Sequence, residues 1–132
     1  MKTKLVLAMI VTTGLLGLGM PAVAHHSFSA EFDATKPVKL TGTVTKLDLA
    51  NPHAWLYIDV KEESGKIANW GLELGGPNSL MRLGWSRNSV KAGDVIVVEG
   101  TRAKDGSNVA NARSITLNGK RMFAGSSQGT TP

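Results

Sequence analysis

The sequence predicts an all-β protein: a small barrel of five strands with one short helix between the third and fourth, preceded by a signal peptide. Three features predict it. Apolar residues recur at every second position in short runs. Gly-, Pro- and Asn-containing turn dipeptides separate those runs. A basic-then-apolar opening stretch stands apart from everything that follows.

That opening stretch comes first. The chain has 132 residues, one domain's worth. Lys2 and Lys4 are followed by an apolar run from Leu5 to Met20, then by Pro21 and Ala22-Val23-Ala24. Small residues at Ala22 and Ala24 are those a signal peptidase reads. The run is shorter than the ~20 apolar residues of a membrane span. Residues 1–24 are therefore expected to be removed, with no membrane anchor left, and the mature protein is expected in the periplasm or medium. Losing Lys2 and Lys4 leaves 13 basic against 10 acidic residues, a mild excess spread from Lys36 to Arg121. That balance favours solubility and gives no nucleic-acid footprint. There is no cysteine. Disulfides, thiolate metal sites and lipid attachment at a cysteine are all excluded.

Residues 25–36 show no sustained period and are expected to lie as an arm. The first strand runs from Val38 to Leu49. Val38, Leu40 and Val44 share one parity, while Leu47 and Leu49 take the other. Alternation switches parity only through an extra residue, so a bulge is expected at Thr45 or Lys46. Asn51-Pro52 makes a turn. In the second strand Leu56, Ile58 and Val60 face one way, and Trp55, Tyr57 and Asp59 the other. Ser64-Gly65 leads into the third strand, whose apolar face is Ala68, Trp70, Leu72 and Leu74. Pro77 suits the first turn of a helix, with Leu80 and Leu83 as its buried stripe and Gly84 as its stop. Strands four and five are expected over Val95 to Thr101 and Val109 to Leu117. Residues 37–123 form the barrel in this reading. The Ser/Thr/Gly-rich end, 124–132, is expected to be a disordered tail.

Strand, strand, strand, helix, strand, strand, with a bend in the first strand, is the layout of the OB-fold, a five-stranded, partly open barrel. Val90-Lys91-Ala92-Gly93-Asp94-Val95 and Val98-Glu99-Gly100 are similar to OB-fold fourth strands. Other small β-barrels or sandwiches share much of the pattern. With His25-His26-Ser27-Phe28 at the mature start, Asn51-Pro52-His53 and the Gly-Asp-Val strand, the whole chain resembles a family of small exported bacterial proteins of unestablished function. That resemblance implies a compartment and a fold, but no activity. In layout alone the chain is also similar to periplasmic OB-fold proteins that bind small or cationic ligands.

The candidate metal ligands are His25, His26 and His53, the three histidines of the chain. Cleavage after Ala24 gives His25 a free α-amine, and amine plus ring nitrogen can chelate one ion. A nitrogen from His53 would complete a tetragonal set suited to copper. The arrangement resembles the histidine brace of some copper proteins. His26 offers a competing mode through amine, backbone and ring nitrogens. Phe28 and Phe32, at i and i+4, could anchor the arm, and Glu31 or Asp33 could add oxygens or orient a ring. The plainer alternatives are a solvated terminal pair and a His53 that merely holds its turn.

The candidate ligand-binding residues are Trp55 and Tyr57. On an OB-fold strand, outward aromatics stack on bases or sugars; the alternative is packing beneath the arm. Trp70 and Trp85 read as core. The basic residues read as solvated surface, and Met81 and Met122 as packing. No G-x-S-x-G elbow, metalloprotease spacing or Walker sequence is present. Glu73 and Glu99 stand alone in the sequence, and nothing pairs them as acid and base. The sequence therefore points to a non-enzymatic binding protein. It holds a copper ion or, alternatively, a small molecule, glycan or protein partner on the aromatic face.

Overall fold

The computed structural model describes residues 26–125, with side chains from Phe28 onward. The expected signal peptide, His25 and residues 126–132 of the expected tail lie outside the described residues. The described chain is mostly β. Strands β1 (Phe32–Asp48), β2 (Trp55–Lys61), β3 (Ile67–Glu73), β4 (Val95–Ala103), β5 (Val109–Leu117) and β6 (Lys120–Phe123) make one sheet. Two short helices accompany them, α1 (His26–Glu31) and α2 (Pro77–Arg82).

The sheet order is β3-β2-β1-β4-β5-β6. Consecutive neighbours are antiparallel, and β3 also pairs with β5 in parallel through Gly71–Val109, Leu72–Ala110 and Glu73–Asn111. The ladders thus run in a circuit from β1 through β2, β3, β5 and β4 back to β1. β6 lies outside that circuit, against β5.

The parity switch in β1 has its expected cause. Val44 pairs with Ile58 and Lys46 with Tyr57, which leaves Thr45 as the extra residue. Val44 is buried on one side of the bulge, and Leu47 and Leu49 pack against the core on the other. Gly42 sits where β1 bends over β2. A Cβ there would lie 2.9 Å from both the Asp59 carbonyl oxygen and Ile58 Cδ1. The core gathers Leu56, Ile58, Leu72, Leu74, Ile96, Val98 and Ile115 from four strands and the β3 end, closed by Leu80, Trp85 and Val90. Trp70 and Trp85 are buried as expected.

Four expectations need correction. The segment expected to be an irregular arm folds. Residues 26–31 are helical and β1 opens at Phe32, because Phe28 stacks on Phe32 (5.3 Å between centroids) and Phe32 is buried where it pairs with Ala103. Leu83 is exposed, since α2 ends at Arg82 and Gly84 (φ +90°) turns the chain away. Trp85 takes its place, its backbone N–H returning to the Leu80 carbonyl and its indole N–H bonding the Phe123 carbonyl at 2.8 Å. A sixth strand follows Asn118-Gly119, both at positive φ, the combination a two-residue hairpin demands. Ala124, assigned to the tail, is fully buried. Its N–H bonds the Arg113 carbonyl, and its own carbonyl accepts from Gly75 N–H.

Candidate functional site

The site grows from the connection between β1 and β2. Asn51-Pro52 is a cis peptide there. The connection is held against the end of β3: Ala54 N–H bonds the Gly75 carbonyl at 3.1 Å, and Leu74 N–H bonds the Ala54 carbonyl at 2.8 Å. The approach is so close that a Cβ on Gly76 would lie 2.9 Å from the Pro52 carbonyl oxygen. This packing stands His53 over the last residue of β3. His53 Nδ1 lies 3.4 Å from Glu73 Oε1.

Glu73 is only 5% exposed. Alternation should turn it outward, opposite Leu72 and Leu74. The parallel pairing covers it instead, setting it beside Asn111, which is 2% exposed and donates from Nδ2 to Glu73 Oε1 at 3.1 Å. A relay therefore runs from the interior outward: Asn111, then Glu73, then His53, then the cleft. Burial pushes the Glu73 carboxyl above its ordinary titration range. His53 and the Asn111 hydrogen bond oppose that shift, and the nearby charge of Glu31 reinforces it.

His53, Glu73, Glu31, Asn51 and Trp55 line a cleft of about 400 Å3. A second cleft of about 420 Å3 adjoins it. The two share Glu31 and Trp55, and the second is bounded by Lys104, Asp105 and Ser107 of the β4–β5 connection. Arg102 fastens that connection, bonding the Gly106 and Ser107 carbonyls while its guanidinium covers Trp70 at 5.2 Å. Glu31 enters both clefts from the end of α1. Lys104 secures this helix from two sides, its backbone N–H on the Glu31 carbonyl at 2.8 Å and its ammonium on the Ser29 carbonyl.

The sequence-predicted residues fall unevenly. His53 lies in the cleft. His25 lies outside the described residues, and of His26 only the backbone, opening α1, is described. Trp55 and Tyr57 stack on the outer face at 6.4 Å and 21°. They lie over Gly71, where a Cβ would be 3.6 Å from each ring. Lys46 reaches 5.9 Å from the Tyr57 centroid. Asp33, a candidate oxygen donor, is tied to Thr35 by two hydrogen bonds and to Lys36. The Glu73–Asn111 pair has no local signal in the sequence, because its members lie 38 residues apart. Glu99, likewise isolated in the sequence, accepts from Ser114 and Arg121. Among the described residues, no three His, Asp or Glu side chains converge closely enough to hold a metal ion by themselves.

Fold and cleft together define a small, mostly β protein with a histidine-bearing polar cleft at the β1–β2 connection. The chain belongs to the family of unknown function DUF6152, whose family model matches residues 12–119. That span contains every cleft residue named above. No curated protein and no solved structure matches the chain significantly.

Proposed function

We propose that this is a non-enzymatic binding protein of the bacterial periplasm, made with a signal peptide cut after Ala24, that holds a copper ion at the His53 cleft. The mature N-terminal histidines, His25 and His26, complete the donor set in this reading. The body is an OB-fold-like barrel; the closed ladder circuit, with α2 between β3 and β4, supports that description.

One observation carries the proposal: Glu73 faces His53 Nδ1. With a carboxylate accepting at Nδ1, the proton resides there and Nε2 keeps its lone pair. Among the described residues Nε2 makes no hydrogen bond, and the ring lines the cleft. Metal-ligating histidines are oriented in this way, the second nitrogen donating to a carboxylate. A histidine that merely held its turn would bond within the turn. The helical form of residues 26–31 adds support. Six helical residues span about 9 Å, against about 20 Å when extended, so the terminus stays tethered near Glu31 and the cleft.

The mass of the secreted chain tests cleavage before His25. Calorimetric titration of that chain with Cu(II), followed by electron paramagnetic resonance, tests the site. We expect one ion per chain with nitrogen coupling, lost in His53→Ala and altered in His25→Ala. A spectrum that neither substitution changes rejects the copper site.

A second reading has its own support. The parallel stack of Trp55 and Tyr57, with Trp55 bordering both clefts, suits a flat small molecule, a sugar ring or a partner side chain. In that case Trp55→Ala abolishes binding while His53→Ala spares it.

A further inference from the structure

We propose that Asn118-Gly119 is a self-modification site: the Gly119 backbone nitrogen closes on the Asn118 side chain, and the isoaspartate that results opens the β5–β6 hairpin. This goes beyond both binding readings and depends on neither.

Leu117 pairs with Lys120, so Asn118 and Gly119 are the whole loop, at φ 50° and 78°. Both are exposed. Neither the Asn118 side-chain amide nor the Gly119 N–H makes a hydrogen bond among the described residues. Nothing lies within 4 Å of the place a Cβ would take on Gly119. A short, unheld amide thus stands beside an unobstructed backbone nitrogen. Hydroxide takes the Gly119 N–H proton, and the nitrogen attacks Asn118 Cγ. The new N–Cγ bond closes a cyclic imide as the Cγ–Nδ2 bond breaks, and ammonia leaves. Water then adds to one imide carbonyl and releases it from the nitrogen. Release of Cγ gives aspartate; release of the Asn118 main-chain carbonyl gives isoaspartate. Water is consumed, ammonia is produced, and nothing is oxidised or reduced.

Other sites of the same chemistry are closed off. Pro52 offers Asn51 no N–H. Asn69 and Asn111 hold Asp59 and Glu73 with their amides. In Asp105-Gly106 the Gly106 N–H bonds the Ala103 carbonyl, and Ser107 N–H holds the Asp105 carboxylate. The consequence follows from chain length. Aspartate leaves the backbone unchanged and tolerates a positive φ. Isoaspartate routes the main chain through Cβ and Cγ, longer by a carbon. Loop length fixes hairpin register, so the Leu117–Lys120 pairing must give way. With β6 go the Phe123 carbonyl that holds the Trp85 indole and the Ala124 bonds to Arg113 and Gly75.

The test incubates the folded, secreted chain at mildly alkaline pH and follows tryptic peptides by mass spectrometry. The peptide of residues 114–120 contains no other asparagine. Electron-transfer fragmentation distinguishes isoaspartate from aspartate. We expect Asn118 to convert at least about fivefold faster than Asn88 or Asn108, because glycine presents its nitrogen with no side chain in the way. The isoaspartate form should melt about 4–8 °C lower, the shift that a modest loss produces in a domain of this size. Asn118→Gly keeps a turn that accepts positive φ and should abolish the conversion, with the circular-dichroism spectrum unchanged. Asn118→Asp adds the charge without the extra carbon and should melt close to wild type. Conversion of Asn118 no faster than Asn88 overturns the proposal. So does conversion in a free peptide of residues 114–120 with none in the folded chain, since the turn then shields the bond. An isoaspartate form that melts with wild type, or an Asn118→Asp variant that melts as low as the isoaspartate form, overturns the opening of the hairpin.

Discussion

In the proposed copper reading, a carboxylate as enclosed as Glu73 pulls stability and binding in opposite directions. Its folded titration range lies above the ordinary value of 4.5, chiefly through burial. For an acid with a raised folded pKa, the stabilising contribution is complete below the unfolded pKa and lost as pH rises through the folded one. Raising the pH through that range therefore removes stability at this residue. Glu73→Gln keeps the shape and cannot ionise. In the metal-free protein the melting temperature of this variant, relative to wild type, should rise as pH is taken from about 4 to 7. A difference that stays flat over that range contradicts a raised Glu73. The same variant should bind Cu(II) about 10- to 100-fold more weakly, because an amide orients the His53 ring less strongly than a carboxylate. Gain in stability with loss of binding is the signature of a residue kept for its site. At this scale the sequence was half legible. His53 stood out through the Asn51-Pro52 turn, but Glu73 sat on the outward parity of its strand. Only the parallel partner Asn111 turns that position inward.

Elements were legible where a local rule was broken and hidden where a distant contact did the work. The bulge at Thr45 followed from parity alone, since no unbulged strand can bury both Val44 and Leu47. Helix α1 did not follow, because six residues with one aromatic pair offer no periodic stripe; its stability comes from Phe32 and Lys104. Strand β6 was not expected: Asn118-Gly119 is a hairpin turn, but Lys120 to Phe123 carries no apolar alternation to match. Gly100 shows the same dependence on a neighbour. It lies where the β4–β5 register shifts, and a Cβ there would come within 2.2 Å of the Asn111 carbonyl oxygen. Gly100→Ala must push β4 away from β5, at a cost of about 1–3 kcal/mol. For a domain of this size that corresponds to a fall in melting temperature of about 4–8 °C per kcal/mol. Because Asn111 also holds Glu73, the proposed copper affinity should fall with it. A variant melting within a degree of wild type would mean that the two strands have room to spare.

Across the whole molecule, the succession of five strands with a helix after the third was readable along the chain, because each run buries one face, whereas the β1–β4 and parallel β3–β5 pairings rest on distant contacts. The circuit is complete by Leu117, so β6 adds nothing to its closure. Its role lies in what it ties together. Ala124 bonds Arg113 on one side and receives Gly75 N–H on the other, and the Phe123 carbonyl holds the Trp85 indole. Gly75 and Gly76 are the platform on which the His53 connection rests, through Ala54 and the close approach of Pro52. The chain end and the cleft are thus linked through two glycines, although β6 lines no part of the cleft. A chain stopped after Gly119 should keep its β circular-dichroism signature, because the circuit survives. It should lose stability from the missing bonds alone, each worth about 0.5–1.5 kcal/mol net. It should also bind Cu(II) more weakly than the full chain, because the platform under His53 loosens. Trp85→Phe, which removes only the indole N–H, should reproduce a small part of the stability loss and none of the affinity loss. If the shortened chain melts lower but binds copper as tightly as before, the β6 end braces the fold without reaching the site.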